Sequence, residues 1–439
     1  PETPKGYMTP FREHPQRRAL VDEIHARPYL LLRAPVRVSH LAVLTGEGGQ
    51  AAERAHLAQL CQTFNVAPPP ADASLFSARL GPLLFRWERH TEFSTYTFAA
   101  DGSFDQPFKE PPAVRLPADW VQAIPGETIS AVHIALEPAS ASDRTVEQTA
   151  ALFDNNTVIG SAVHDGQARV WTDARVHADG YGRFLVKDLG LNQRQLGRLV
   201  QRLVEIASYY LLAMLAYPLA RAALPKIVTL EQELSDSVRM LSTISGIGDE
   251  SALLKRLSTL AAEAEAVATA TNYRFSAARA YSALVRQRIE DLRGARLEWM
   301  QPLDESLLRR LAPAMETCNN IHARQESLSV RIARASDLLR TRVDVTVEAQ
   351  NRDVLRSMNR RAKVQLRLQQ TVEGLSVAAI SYYLVGLIAY AAKAASGVGV
   401  KVDPDLAAGL AIPVVIALVW FAVRRLRRAV VGETGKDDG

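Results

Sequence analysis

Two long apolar runs near the C-terminus constrain this chain more than any other feature of its sequence. The first run, residues 374–395, has 22 residues with one charge, and the second, residues 406–423, has 18 residues with none. A helix that crosses a bilayer needs about 20 predominantly apolar residues. Pro413 lies inside the second run, where a membrane helix tolerates a proline. The two runs therefore predict a transmembrane helical hairpin, with a buried hairpin in a soluble core as the alternative.

The remainder of the chain has the composition of a soluble protein. Mean hydropathy over the 439 residues is −0.05, a value far below that of a polytopic transporter. The net charge of +5 is mild, and no nucleic-acid recognition motif accompanies it. Cys61 and Cys318 form no CxxC pair, which favours a reducing compartment without disulfides. The first residues contain no apolar segment of the signal-peptide kind, so the main body is expected in the cytoplasm.

Basic residues flank both apolar runs and predict their orientation. The loop between the runs contains one lysine and two aspartates, whereas several arginines stand before the first run and after the second. Because positive flanks stay inside, both termini and the body are predicted to lie on the cytoplasmic side of the inner membrane. The cluster after the second run is expected to contact anionic headgroups of the lipid bilayer; it consists of Arg424, Arg425, Arg427 and Arg428.

The sequence indicates an α+β fold in four parts. Alternating apolar residues predict strands at 37–44, 74–80, 83–90, 92–98, 128–136, 157–163, 167–172 and 183–186, and a helix at 50–64. Helical spacers between these strands are too few for a doubly wound nucleotide-binding fold. The parts are a mixed-sheet α/β domain (1–187), a domain of long antiparallel, coiled-coil-like helices (188–373), the hairpin (374–423) and a basic cytoplasmic tail (424–439).

The long-helix domain shows one-sided apolar stripes separated by breaks. The segment SGIGDES, residues 245–251, predicts a break in which Gly246 and Gly248 stop one helix and Asp249 caps the next. A second break is expected near Gly294, and the last helix is expected to begin after Pro313. Residues 340–371 are polar nearly all round, which indicates a helix that packs against copies of itself or against other helices.

A stripe of small and polar residues runs along the first apolar run. Lipid cannot satisfy polar groups, so this stripe predicts a contact with other protein or the lining of a pore. Lys393 has three possible roles: snorkelling to the outer interface, forming a ring at a pore mouth, or pairing with Asp403 or Asp405. These two aspartates are also candidates to attract ions at the outer loop, with an ordinary proline turn as the alternative. The stripe consists of Ser376, Tyr383, Gly386, Tyr390 and Lys393.

One polar cluster in the α/β domain has the residue types of a chemical site. The segment FRWERHTEF is expected to place Arg86, Glu88, His90 and Glu92 on one strand face. A histidine between carboxylates can do acid–base work or bind a metal, whereas a solvated face with cross-strand ion pairs is the alternative. No metal, nucleotide or nucleophile motif supports the first interpretation. No catalytic residue or metal ligand is therefore assigned, and the cofactor is unknown.

Four segments resemble an uncharacterised bacterial family of membrane-anchored proteins. They are HPQRRALVDEIHARP at 14–28, WERHTEFSTYTF at 87–98, DGYGRFLVKD at 179–188 and YYLVGLIAYAAK at 382–393. The resemblance implies a cytoplasmic body with a C-terminal anchor and implies no activity. The architecture also resembles the CorA-type magnesium channels, in which five copies assemble around a pore lined by the first membrane helix. Their Gly-Met-Asn signature is absent here, so magnesium selectivity is not implied.

Three functions are therefore consistent with the sequence. The first is a non-enzymatic one, in which an inner-membrane-anchored protein self-associates as a homo-oligomer and has a scaffolding or sensing role. The second is a CorA-like oligomeric ion channel for an unknown ion. The third is a membrane-tethered, metal-dependent hydrolase that uses His90 with Glu88 or Glu92.

Overall fold

The computed structural model of the chain describes residues 11–18, 20–21, 29–46, 49–244, 246–298, 300–397 and 403–433. The chain forms two compact units. The first unit comprises Pro1–Ser242 and Lys255–Ser336, and the second comprises Thr243–Leu254 and Asp337–Gly439.

The strands of the first unit form one mixed sheet. Among the described residues these strands are β1 (Val36–Leu44), β2 (Leu75–Leu80), β3 (Leu83–Arg89), β4 (Phe93–Asp101), β5 (Glu127–Glu137), β6 (Ile159–Val163), β7 (Ala168–Thr172), β8 (Gly182–Asp188) and β9 (Ala295–Arg296). The sheet order is β2-β3-β4-β1-β5-β8-β7-β6-β9. Strands β5 and β8 pair in parallel, and the other pairs are antiparallel. The short strand β9 comes from the helical region and pairs with β6, which the sequence did not predict.

The described helices follow the sheet for the most part. They are α1 (Gln50–Thr63), α2 (Ala118–Gln122), α3 (Val146–Ala151), α4 (Gln193–Met214), α5 (Ala216–Leu241), α6 (Ile247–Asp291), α7 (Leu303–Gly397) and α8 (Pro404–Glu433). The α+β fold class and a C-terminal helical hairpin, formed by the end of α7 and by α8, are confirmed.

Both faces of the sheet are covered. Side chains alternate between the faces along each strand, so each strand contributes residues to both faces. On one face, Leu41, Phe85 and Trp87 form a core with Leu57 and Leu60 of α1. On the other face, residues such as Val38 and Ala42 pack against α4. Each face therefore has its own hydrophobic core.

Helix α4 begins at a well-formed cap and packs closely. The side chain of its N-cap residue Asn192 accepts hydrogen bonds from two backbone N–H groups, and Gln195 completes a capping box. Its residues Leu196, Leu199 and Leu203 are buried. At Gly197 the helix backbone approaches the segment before β1 so closely that an added Cβ would lie 1.8 Å from the carbonyl oxygen of Leu30.

Two sequence predictions about helix ends are wrong. Helix α7 begins at Leu303, and Pro313 lies inside it rather than before it. A proline inside a helix removes one backbone donor but does not have to end the helix. Helix α6 begins at Ile247, so Gly248 and Asp249 lie in its first turn instead of stopping and capping it. Gly246 does end the break, with a positive φ of 117° that suits glycine.

Candidate functional site

A small cavity lies between the sheet and α4 in the first unit. Its volume is about 50 Å³, enough for a few water molecules. Most of its lining is apolar surface, and its polar lining residues include the strand residues His40, Arg86, Glu88 and Thr97, and Ser208 of α4. All five of these residues are at least nine-tenths buried. Polar and ionisable groups are rarely buried without a partner or a function, so this cluster is the leading candidate site of the first unit.

His40 lies at the centre of the cluster and is neutral. Its Nδ1 lies 2.8 Å from Thr97 Oγ1, and its Nε2 lies 3.4 Å from Ser208 Oγ. Burial, assisted by the nearby His90 and Arg86, lowers the pKa of His40 to about 3. A neutral imidazole has one donor and one acceptor nitrogen, and each hydroxyl can serve either as donor or as acceptor. The ring can therefore change tautomer without losing either hydrogen bond.

A buried ion pair adjoins His40. The Arg86 guanidinium donates to Glu88 Oε2 at 2.8 Å, and His90 Nε2 lies 4.0 Å from Glu88 Oε1. Such a pair contributes little to net stability, because removing two charges from water costs about as much as their attraction returns. The pair gives the cavity a donor and an acceptor of opposite charge side by side. That arrangement suits a small ligand that carries both a donor and an acceptor group.

An aromatic wall separates this cavity from a more open groove. The rings of His90 and Phe93 stack with centroids 4.3 Å apart, and Phe93 meets Tyr209 edge-on at 6.2 Å. Tyr209 in turn stacks on Tyr281 of α6 at 5.6 Å. His90, Phe93 and Tyr209 line both the cavity and the groove, whose volume is about 530 Å³.

The structure separates Glu92 from the cluster in which the sequence placed it. Strand β3 ends at Arg89, so the alternation that would keep Glu92 on the same face does not continue. Glu92 instead pairs with Arg274 of α6 at 3.0 Å and accepts a hydrogen bond from Tyr273 at 3.1 Å. Burial, and next a hydrogen bond to Glu92, raise the pKa of Tyr281. Glu92 therefore attaches the β3–β4 turn to α6, whereas Glu88 and His90 line the cavity.

The described residues contain no group of three or more histidine, cysteine, aspartate or glutamate side chains arranged to hold a metal ion. The hydrolase hypothesis depended on such a group around His90, so the geometry gives it no support.

Several residues of the cavity were missed by sequence reasoning. His40 stands in the apolar strand RVSHLAVL, and Ser208 and Glu205 stand on the otherwise apolar side of α4. Glu205 is held by Arg288 of α6 and by Gln201, which donates at 2.9 Å. A polar residue at the buried phase of an apolar pattern is the only signal that could have identified them.

A second histidine cluster resembles a catalytic triad but is covered. Ser39 Oγ lies 3.0 Å from His133 Nδ1, and His133 Nε2 lies 3.9 Å from Asp179 Oδ2. Ser39 is fully buried, and its Oγ accepts a hydrogen bond from the backbone N–H of Ala113. Burial lowers the pKa of His133 to about 4. A nucleophile must reach its substrate, so this cluster is a structural network.

Three helical segments in the described part of the chain are long and apolar enough to cross a membrane. They are Gln193–Leu241, Leu303–Ala395 and Pro404–Arg425. The apolar window of the first segment is 50% buried, because α4 packs on the sheet. The windows of the other two are only 11% buried. The C-terminal hairpin therefore exposes the apolar surface that a bilayer would cover.

The hairpin buries one face of each helix. On α8, Val415 and Val419 are buried, and on α7 Ser381 is buried. Tyr383 and Tyr390 are 72% and 76% exposed and lie about half a turn from Ser381 around α7. The polar stripe predicted from the sequence therefore lies on the side of α7 opposite the buried face. Ser376 and Lys393 of that stripe are exposed as well, and Gly386 is half-buried.

The ends of α8 carry the remaining predicted residues. The Asp403 carboxylate accepts a hydrogen bond from the backbone N–H of Asp405 at 3.1 Å, so Asp403 caps the helix. Both aspartates are exposed. At the other end, the Arg424 guanidinium lies 4.8 Å from the ring centroid of Trp420. The side chains of Arg427 and Arg428 lie outside the described residues.

Comparisons with known proteins identify a family without an activity. The family model "Protein of unknown function (DUF3422)" matches residues 12–430. A comparison with proteins of curated function finds no match. Among solved structures, the full-length CmaX protein matches at 15% identity and a TM-score of 0.17, with 68% of this chain and 89% of that chain covered. A score this low carries no argument, and these matches do not support the resemblance to CorA-type channels.

Proposed function

The chain belongs to the DUF3422 family of proteins of unknown function, and we propose that it is a self-associating protein anchored in the inner membrane. Its C-terminal hairpin would be the anchor. Its sheet-containing unit would have a scaffolding or sensing role on the cytoplasmic side.

The exposure of the apolar hairpin carries this proposal. Leu387 in the first span is 64% exposed, and Val414 in the second is 58% exposed. Soluble proteins rarely expose contiguous apolar patches of more than a few hundred Å². Two adjacent helices with this composition would aggregate in water, whereas a bilayer covers them.

The charge pattern supports a cytoplasmic position for both flanks of the hairpin. Arg360, Arg361 and Lys363 precede the first span on an exposed helix, and Arg424 and Arg425 follow the second and are also exposed. Each cation near an anionic membrane surface contributes about 1 kcal/mol of attraction. Both flanks therefore favour the cytoplasmic side, where anionic headgroups attract them and where the positive-inside rule expects basic flanks.

The cavity between the sheet and α4 supports a sensing role. Its neutral His40, its Arg86–Glu88 pair and its aromatic wall provide the mixture of polar groups and apolar surface that is typical of small-molecule sites. A small polar compound with both a donor and an acceptor would fit its size and chemistry.

Membrane extraction of the full-length protein tests the anchor. Wild-type protein should float with vesicles and resist alkaline carbonate. Leu387→Arg or Val414→Arg should reduce insertion, because an arginine at the centre of a span costs about 2.5–3.5 kcal/mol. Leu338→Arg is the matched control, since Leu338 is 68% exposed on the same helix but outside the spans. A wild-type protein released by carbonate, or equal extraction of all variants, would contradict the anchor.

Thermal unfolding in the presence of small polar compounds tests the cavity. A compound that binds only the folded state raises the midpoint as its concentration rises above its dissociation constant. Thr95→Val keeps the shape of the lining and removes one hydroxyl, so it should reduce the shift. Thr63→Val, at an exposed position of α1, is the control. A shift that is identical in all three proteins would argue for binding elsewhere.

A further inference from the structure

The part of α7 that precedes the membrane and enters the first span contains a heptad seam. We use this name for the positions that repeat every seven residues in two series from Val347 and from Asn351. The seam consists of Val347, Asn351, Val354, Met358, Arg361, Gln365, Leu368, Val372, Leu375, Ala379, Tyr382 and Gly386. The twelve positions alternate at spacings of three and four, which is the pattern of a coiled coil. Nine of the twelve residues carry neither a side-chain amide nor a positive charge.

The seam is uncovered in the single chain. Exposure is 40% at Val347, 56% at Val354 and 65% at Leu368, all of which precede the first span. The helix is continuous over this range, so the seam forms one stripe along it. Its length is about 60 Å at about 1.5 Å per residue.

The charged side chains avoid the seam. Nine charged residues lie between 347 and 386, and Arg361 is the one that falls on a seam position. The other eight lie off it: Glu348, Arg352, Asp353, Arg356, Arg360, Lys363, Arg367 and Glu373. A helix that only faced water would have no reason to segregate its charges in this way. The seam is therefore a narrow, nearly uncharged stripe, and the apolar residues Leu355, Val364 and Leu366 are exposed off it.

We propose that a second copy of the chain packs in parallel along this seam. The inference rests on the proposed anchoring, because hairpins inserted in one membrane with one orientation make the preceding helices parallel. Each seam residue then meets its own counterpart. A stripe about 60 Å long and ~10 Å wide would bury roughly 600 Å² per helix, close to the ~800 Å² per partner of a stable interface.

The seam and the hairpin contact are compatible. Ala379 and Gly386 lie on the side of α7 that faces away from the buried Ser381. The packing of α7 on α8 therefore leaves the seam open into the first span. There the seam adjoins Tyr383 and Tyr390, which extends the self-association surface predicted from the sequence.

The polar seam positions set the register of the contact at a cost in affinity. In a parallel pair, Arg361 of each copy faces the other, with Gln365 one turn away. Like charges at a seam position repel, and the polar layers at Arg361 and Gln365 specify alignment, because a shift by one heptad would place them opposite apolar seam residues. Arg361→Leu should therefore tighten association at least tenfold and loosen the register.

Cysteine cross-linking of the full-length protein in vesicles tests the geometry. Val354→Cys places a thiol on the seam, and Arg356→Cys, two residues along the same exposed helix, places one off it. Native Cys61 and Cys318 are buried. Mild oxidation should cross-link the first variant to a dimer and leave the second as monomer, since a disulfide needs Cα atoms within about 7 Å. Equal cross-linking of both variants would overturn the proposal.

Mass measurement in detergent tests the energetics. Leu368→Asn should weaken association at least tenfold, whereas Leu366→Asn, at a 51% exposed off-seam position two residues away, should not. Unchanged helicity by circular dichroism would show that both variants fold. A wild-type protein that floats with vesicles but is monomeric and does not cross-link refutes the seam and leaves the anchor intact. A protein that does not float refutes the anchor itself.

Discussion

Replacing His40 by glutamine should remove about half of the acid sensitivity that the two most deeply buried histidines, His40 and His133, give to the folded protein. His40 is 3% exposed, and burial lowers its pKa from 6.5 to about 3. His133, also 3% exposed, has its pKa lowered to about 4, again chiefly by burial. Both imidazoles are therefore neutral in the folded chain at pH 5, whereas in the unfolded chain they are protonated.

The direction of the effect follows from proton binding. Between the folded and unfolded pKa values the unfolded state binds more protons, so the free energy of unfolding falls as the pH falls. The contribution of each histidine to the free energy of unfolding is fully present above pH 6.5 and decreases as the pH falls below that value. At pH 5 the loss is about 1.5 pKa units, or about 2 kcal/mol, for each of the two. The wild-type protein should therefore lose about 4 kcal/mol from them and the His40→Gln variant about 2 kcal/mol.

Urea unfolding of the full-length protein in detergent measures this difference. Fluorescence of the buried Trp87 and Trp120 reports on the sheet core. The free energy of unfolding should be compared at pH 7.5, 6 and 5. A difference at one pH alone is uninformative, because the substitution also changes the surroundings of Arg86, Glu88 and His90. His14→Gln, at an exposed position, is the control for losing a histidine. The same decrease from pH 7.5 to 5 in His40→Gln and wild type would refute the reasoning.

Three further predictions concern packing, the β3–β4 turn and topology. Gly197→Ala should lower the thermal midpoint sharply, because the new Cβ would lie 1.8 Å from the carbonyl oxygen of Leu30. Gly190→Ala is the control and should have little effect, because its new Cβ would have nothing within 4 Å. Equal midpoints for the two variants would contradict the close packing at Gly197. Glu92→Gln should cost about 1–2 kcal/mol, because Arg274 and Tyr273 lose a carboxylate partner, and should speed amide exchange in the turn; unchanged exchange would show that the turn is held by other contacts. Lys401→Cys should react with a membrane-impermeant maleimide from outside intact cells and Gly435→Cys should not; the reverse result would invert the proposed orientation.

The sequence alone was sufficient where a short-range periodicity reports burial. Alternation over Arg37–Leu44 and Leu83–His90 predicted β1 and β3 to within a residue of their ends. It also placed Glu88 and His90 on one face, because side chains two apart on a strand share a face. The apolar runs at 374–395 and 406–423 predicted a hairpin for the same reason, since run length and composition are local properties.

Only the tertiary structure decided which distant residues meet. His40 and Ser208 are 168 positions apart, and no local pattern connects them. Their contact exists because α4 packs across the face of the sheet on which His40 lies. The separation of Glu92 from His90 likewise depends on where β3 ends and on Arg274, which comes from a helix 182 residues away.

The tertiary structure also decided which apolar segments are buried by protein. The segments Gln193–Leu241 and Pro404–Arg425 are both apolar enough to span a membrane, but half of the first window is covered by protein and only 11% of the second. Hydropathy measures the cost of contact with water and does not distinguish a protein core from a lipid bilayer, because both remove apolar surface from water. The sequence therefore determined which segments must avoid water, and the packing of α4 on the sheet determined which of them the chain covers by itself.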